Sequence, residues 1–185
     1  MFYRLFRWTK NKKEGLKEAI AQFEKTGEQI KYLTLRPLEL LSQGDIISSV
    51  PFYFYEENGT QKVFKSDALV LSTSCHIDQK DKLILVPVLP IEAFSGNIAD
   101  LKSNRIIDYM YVPDGKMTDA FVDFEIMNTF SKELIKKGIE TGRIKRISSL
   151  NQIGFYFFLI KLTLYFFRKE DTDTQEERAS AYTDI

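Results

Sequence analysis

The chain has 185 residues, with 26 Lys and Arg against 26 Asp and Glu, an apolar fraction of 44% and a charged fraction of 28%. That size and balance fit one globular domain, and a net charge of zero excludes a general basic coat for nucleic acid but not a local basic patch. A single cysteine, Cys75, and a single histidine, His76, exclude an internal disulfide and a zinc site of four cysteines or of two cysteines and two histidines.

Aromatic residues are abundant, 15 Phe and 9 Tyr, and can build a firm core in a chain of this length. No acidic spacing resembles a calcium loop, and no glycine-rich phosphate loop is present, so no metal and no cofactor are expected. The first residues, MFYRLFRWTKNKKEG, hold no continuous apolar run and no small-residue cleavage site. A secretory signal is therefore not expected, and a cytoplasmic location follows.

In chain order, residues 1–36 read as a basic, amphipathic helical segment. Leu16, Ala19, Ile20 and Phe23 recur at helical spacing between Lys12 and Lys25, and Gly27 is the stop. The spacing predicts a helix of about three turns that docks by its Leu16/Ile20/Phe23 stripe. Residues 37–168 form the main domain. Asn58-Gly59 between two aromatic or β-branched runs predicts a hairpin pairing Pro51 to Glu56 with Gln61 to Lys65. Further strands are expected at Asp67 to Ser72, Leu83 to Leu89, Ile106 to Val112 and Ala120 to Ile126, with a turn at Pro113-Asp114-Gly115. Six short strands with small connections suggest a mainly β, α+β fold built on a small antiparallel barrel with helices at both ends.

The last third reads as helical. Ser131 caps a helix through about Lys137 that Gly138 ends, and Ser149 caps a longer one from Leu150 to about Arg168. On the latter, Leu150, Ile153, Phe157, Ile160, Leu164 and Phe167 predict one buried stripe, which neighbouring apolar residues widen. Its apolar stretch, Ile153 to Phe167, is 15 residues interrupted by Lys161, too short to span a membrane. A helix buried against the domain is the first reading, and an interfacial helix hidden by a partner the second. Residues 169–185 form an acidic tail expected to be mobile.

Three landmarks stand in order: Gly44-Asp45-Ile46 opening the first strand, ALVLSTSCHID at a strand end, and LILVPV as the next strand. This order resembles the PemK/MazF-like superfamily of SH3-like barrels. More closely, the chain is similar to an uncharacterised prokaryotic and phage family related to that barrel. The matching features are Ser72 to Ile77, Arg105 to Pro113, Val122-Asp123-Phe124 and Arg146 to Arg168, so the likeness covers roughly residues 43–168. The resemblance implies a toxin–antitoxin or phage-conflict setting, RNA or DNA as ligand, a protein partner or antitoxin, and a homodimer. PemK/MazF toxins are endoribonucleases whose activity is tied to an arginine after the first strand and a hydroxyl residue after the Val-Pro strand. Here residues 47–55 contain no arginine, Val88-Leu89-Pro90 follows Val86-Pro87, and Ser66-Asp67 replaces the usual Arg-Pro.

Without a cation for the scissile phosphate or a nearby acid or base, such a site lacks its main source of rate. The expectation is therefore a non-catalytic or degenerate module binding nucleic acid or a protein partner. The alternative is an active endoribonuclease with relocated residues, in which Arg105, Arg143 or Arg146 meets the phosphate. A cysteine enzyme using Cys75 with His76 and Asp78 ranks last, because adjacent strand residues point to opposite faces and the related family carries Asp at position 76. Cys75 is expected as a half-buried small hydrophobe, and Ser72, Thr73 and Ser74 as strand-end hydroxyls. Asp45 is expected to form a turn, and Asp123 to be solvated or paired with Arg105 or Arg146. Lys132, Lys136, Lys137, Arg143, Lys145 and Arg146 form a basic cluster, read either as phosphate contacts or as a solvated helix face.

Overall fold

The computed structural model describes residues 31–113, 119–167 and 170–181. The helix expected at Lys12 to Lys25 and most of the Pro113-Asp114-Gly115 turn lie outside these residues. The architecture is α+β, with seven antiparallel strands in one sheet. The strands are β1 (Asp45–Tyr55), β2 (Gln61–Val70), β3 (Lys82–Pro90), β4 (Tyr109–Val112), β5 (Ala120–Asp123), β6 (Asn128–Ser131) and β7 (Arg146–Ser149). Five described helices accompany them: α1 (Ser74–Gln79), α2 (Ile98–Lys102), α3 (Lys132–Glu140), α4 (Gln152–Phe166) and α5 (Thr172–Ser180), the last within the acidic tail.

The hairpin forms in the expected register, Phe52 opposite Phe64 and Tyr55 opposite Gln61. Gly59 at φ +79° closes its loop, and the Asn58 side chain accepts from the Thr60 N–H. The strands expected at Gln61 to Lys65 and Asp67 to Ser72 are one continuous strand, β2, because Ser66 keeps its place in the ladder opposite Val50. The sheet order is β4-β5-β3-β2-β1-β7, with β6 also on β3. Residues 124–127 bend the chain so that β5 pairs with the C-terminal half of β3 and β6 with its N-terminal half.

The sheet is not closed. β4 and β7 are its edges and do not pair with each other, and no main-chain pairing joins β6 to β1, so the expected barrel is not established. β6 meets β1 through side chains: Asn128 accepts from the Tyr53 N–H at 2.8 Å and donates to the Tyr53 carbonyl at 3.1 Å, and Phe130 packs edge-on against Phe52 at 5.8 Å between ring centroids. With Pro51 lacking an N–H nearby, this amide occupies the open edge of β1, where an unpaired strand would otherwise invite another chain.

Each sheet face carries its own core. On one face Ile46, Leu69, Val86, Met110, Val122 and Phe124 pack beneath Phe158 of α4. On the other, Ile47, Val50, Phe52, Ala68, Leu83 and Leu85 pack with Ile77 of α1 and Ile135 of α3. Phe52, Phe124 and Phe158 are fully buried, each contributing about 1.5–3 kcal/mol by removal of apolar area from water.

The C-terminal third departs from expectation in three places. Ser131 caps α3, but the helix runs through Gly138 to Glu140. A Cβ at Gly138 would lie 2.6 Å from Ile144 Cδ1, so this glycine admits a close neighbour, and Gly142 at φ +71° follows the helix end instead. Ser149 is the last residue of β7, a strand not expected from the sequence, and Asn151 caps α4 by accepting from the Gly154 N–H at 2.9 Å. Finally, α4 buries Gly154, Phe158 and Lys161, with Phe155, Leu162 and Tyr165 packed on the core. The expected stripe residues Ile160, Leu164 and Phe167 face outward. The helix is apolar nearly all round, so periodicity cannot select a face.

Candidate nucleic-acid interface

The first landmark is structural. Asp45, fully buried, accepts from the Arg146 guanidinium at 2.8 Å, from the Ser42 N–H at 3.0 Å and from the Ser149 hydroxyl. Arg146 also donates to the carbonyls of Leu38, Glu39 and Leu40, and Ser149 accepts from the Leu38 N–H at 2.9 Å. The network ties residues 38–45 to the β1–β7 pair. Asp45 closes the expected turn, donating from its N–H to the Ser42 carbonyl at 3.1 Å, and its carboxylate is also one half of a buried ion pair that holds Arg146 away from the basic surface. Gly44, at φ +85°, lets the chain turn against Leu150.

The second landmark is a strand end followed by a short helix: β2 stops at Val70 and Ser74–Gln79 form α1. Thr73 caps α1 at the His76 N–H, the Ser72 hydroxyl accepts from the Ile84 N–H at 2.8 Å, and Ser74 accepts from the Gln43 N–H at 3.4 Å. Cys75, His76 and Asp78 are exposed, and the Cys75 and His76 side chains make no hydrogen bond among the described residues. Cys75 is therefore not the half-buried hydrophobe expected, and no nucleophile–base pair exists there. The Lys132 ammonium reaches the Ile77 and Asp78 carbonyls at 2.9 and 3.3 Å, neutralising the carbonyl end of α1.

Four cations of the basic cluster stay exposed. Lys136 and Lys137 lie on α3, Arg143 and Lys145 on the connection to β7, and none forms an ion pair among the described residues. Arg143 donates to the Thr141 hydroxyl at 3.2 Å. Arg105 forms an exposed 3.7 Å ion pair with Asp100. The Lys145 N–H donates to the Ser48 hydroxyl and its carbonyl accepts from the Ser48 N–H, so this cation stands beside the β1 bulge at the base of the hairpin.

The hairpin carries a feature not singled out from the sequence. Phe52 and Phe64 stack on the α3 side, at 5.8 Å between ring centroids. Alternation turns Pro51, Tyr53, Tyr55, Val63 and Lys65 to the opposite side. All five are exposed, Tyr53 by 42% and Tyr55 by 64%, which leaves two ring faces open to solvent. The period-2 run PFYFY opposite QKVFK was the available signal: it marks one aromatic pair for the core and leaves a second set uncovered.

A second unanticipated cluster is internal. Asp123, 7% exposed, accepts from the Glu125 N–H at 2.8 Å, and burial pushes its carboxyl up to about 6. It pairs with neither Arg105 nor Arg146. Tyr109 lies opposite it across the β4–β5 pair and donates to Glu125 at 2.7 Å; burial, then that bond, raises its phenol. Nearby Lys161 is buried, donates to the Asn104 and Ile106 carbonyls, and has its amine lowered to about 8 by desolvation, opposed by Asp108. No group of three His, Cys, Asp or Glu among the described residues could hold a metal ion.

The chain matches no protein-family model and no curated protein sequence. No helix among the described residues is long and apolar enough to cross a membrane. In chemical terms, the surface offers planar rings with Lys65 on one side of the sheet and a group of cations without ion pairs on and after α3 on the other. That combination suits stacking on bases and neutralising phosphates rather than moving protons.

Proposed function

We propose that this chain is a non-catalytic PemK/MazF-like module that binds single-stranded nucleic acid in a prokaryotic or phage conflict setting. The observation carrying this reading is the exposed Tyr53/Tyr55 face with Lys65 beside it on β2; Lys136 and Lys137 belong to α3 on the other side of the sheet, and the exposed Arg143 and Lys145 follow that helix. Open ring faces stack on any base, and cations without internal partners are free for phosphates. Kinship with the small barrel is supported by the bent β5–β6 segment and by the side-chain contacts of Asn128 and Phe130 that bring β6 up to β1. Sites for bond cleavage have little support: Arg146 and Lys132 are engaged internally, and Cys75 and His76 are unconnected.

Fluorescence anisotropy with a labelled single-stranded RNA, the same sequence as DNA, and a duplex tests the reading. Single strands are expected to bind and the duplex to bind more weakly. Tyr53→Ala with Tyr55→Ala removes about 1–3 kcal/mol per stacked base. Lys136→Ala with Arg143→Ala lowers the salt slope by about 0.7 for each lost phosphate contact. Unsaturable binding, or binding indifferent to both pairs of changes, overturns the proposal; cleavage of the RNA would favour an endoribonuclease.

A further inference from the structure

Tyr53 and Tyr55 stand two positions apart on one side of β1. The Glu56 N–H donates to the Thr60 carbonyl at 2.9 Å, and the Tyr53 N–H and carbonyl are both taken by Asn128 on the opposite edge. Tyr53 with Val63, Tyr55 with Gln61 and Pro51 with Lys65 are therefore the pairs without main-chain hydrogen bonds, in which facing side chains stand closest. Two strand residues separate the tyrosines by about 6.4–6.8 Å. That is about twice the 3.4 Å repeat of stacked bases, so one base fits flat between the rings with both of its faces covered. Val63, 67% exposed, lies beneath this slot. The Gln61 amide is exposed and makes no hydrogen bond among the described residues, and Lys65 forms no ion pair among them. Beyond Tyr55 the tip carries exposed Glu56 and Glu57, which turn phosphates away from the loop and toward Lys65.

We propose that Tyr53 and Tyr55 hold one adenine base of a single strand between them and that Gln61 reads its edge, which makes Gln61 the residue that sets base preference. The inference rests on the single-strand reading above and gives it a sequence. An amide presents one donor beside one acceptor, the complement of adenine N6 and N7, whereas guanine offers two acceptors, O6 and N7, that call for Lys or Arg. A pyrimidine is smaller and loses stacking area against both rings. Lys65, next in the same row, meets the phosphate beside the held base. A base can enter only when unstacked from its neighbours, so the slot rejects a duplex. An added β-strand is no rival occupant, because Asn128 already fills the main-chain edge at Tyr53.

The test titrates the full chain, by fluorescence anisotropy, against labelled oligouridylates of about ten nucleotides that carry one central adenosine or one central guanosine. The adenosine strand is expected to bind about tenfold more tightly than the guanosine strand. Gln61→Ala should bring the two within about threefold, and Gln61→Lys should reverse their order; the added charge strengthens both strands alike and leaves the ratio to report on the base edge. Tyr53→Ala should remove most of the preference, since the base then has one ring instead of two. Saturable binding with equal affinity for both strands, or a ratio that Gln61→Lys leaves unaltered, overturns the slot while the single-strand reading stands. Absence of saturable binding to either strand overturns both. Displacement of the adenosine strand by an equal concentration of free adenosine monophosphate overturns it in favour of a mononucleotide site.

Discussion

Asp123→Asn should stabilise this protein at neutral pH and do nothing in acid. The carboxyl is buried at the end of β5, faces Asp108 and Glu125, and titrates near 6 instead of 3.8. Because the folded state binds this proton more tightly than the unfolded chain does, the contribution to stability is present below about pH 4 and lost as the pH rises through about 6. At 1.36 kcal/mol per pH unit the displacement corresponds to about 3 kcal/mol, which partial solvation of the carboxylate reduces to about 1–2 kcal/mol. Asparagine keeps the oxygen that accepts from the Glu125 N–H and removes the charge. Urea unfolding at about pH 4 and about pH 7.5 measures the difference: Asp123→Asn is expected to gain about 1–2 kcal/mol at the higher pH and to match the parent at the lower. An equal gain at both values, or a loss at pH 7.5, would refute the reasoning, since burial of the charge would then not be the dominant effect.

Three further outcomes follow from the geometry. Arg146→Ala strands the buried Asp45 carboxylate and releases three carbonyls, so unfolding in urea should show a loss of about 3–5 kcal/mol, with Arg146→Lys recovering little because an ammonium cannot reproduce the planar fork. Gly154→Ala, although about 1 kcal/mol better in helix propensity, should lower stability by about 1–3 kcal/mol, because the Tyr32 carbonyl must move; an unchanged urea midpoint would show that this contact is soft. Cys75→Ser should leave stability within about 0.5 kcal/mol and nucleic-acid affinity unaltered, both measurable on one preparation, and a lost activity would return Cys75 to the site.

The hairpin shows how one strand serves two purposes. Its Phe52/Phe64 side anchors the α3 core, which holds the strand rigid, while Tyr53 and Tyr55 on the other side need that rigidity to present their rings. The edge between is closed to strand addition by Pro51 and the Asn128 amide, so the exposed rings stand on a strand protected from pairing with another chain.

Local chemistry in the chain was sufficient for several elements. Asn58-Gly59 set the hairpin and its register, Ser131 capped α3, and continuous apolar runs marked β3 and most of β2, because turn geometry, capping and strand burial each depend on a few neighbouring residues. Four residues of β7 carry no such signal, and they form a strand only because β1 offers an edge and Asp45 a counter-ion for Arg146, about a hundred positions away in sequence. The uses of Lys132 and Arg146 were equally illegible, since a run of cations does not say which of them will find carbonyls to hold. For α4, an almost uniformly apolar helix, periodicity chose the wrong face. Tertiary structure settled it, because Lys161 had to bring its amine to the Asn104 and Ile106 carbonyls and Gly154 had to admit the Tyr32 backbone. A polar group that must be satisfied and a backbone that must fit are contacts with distant residues, and no local pattern records them.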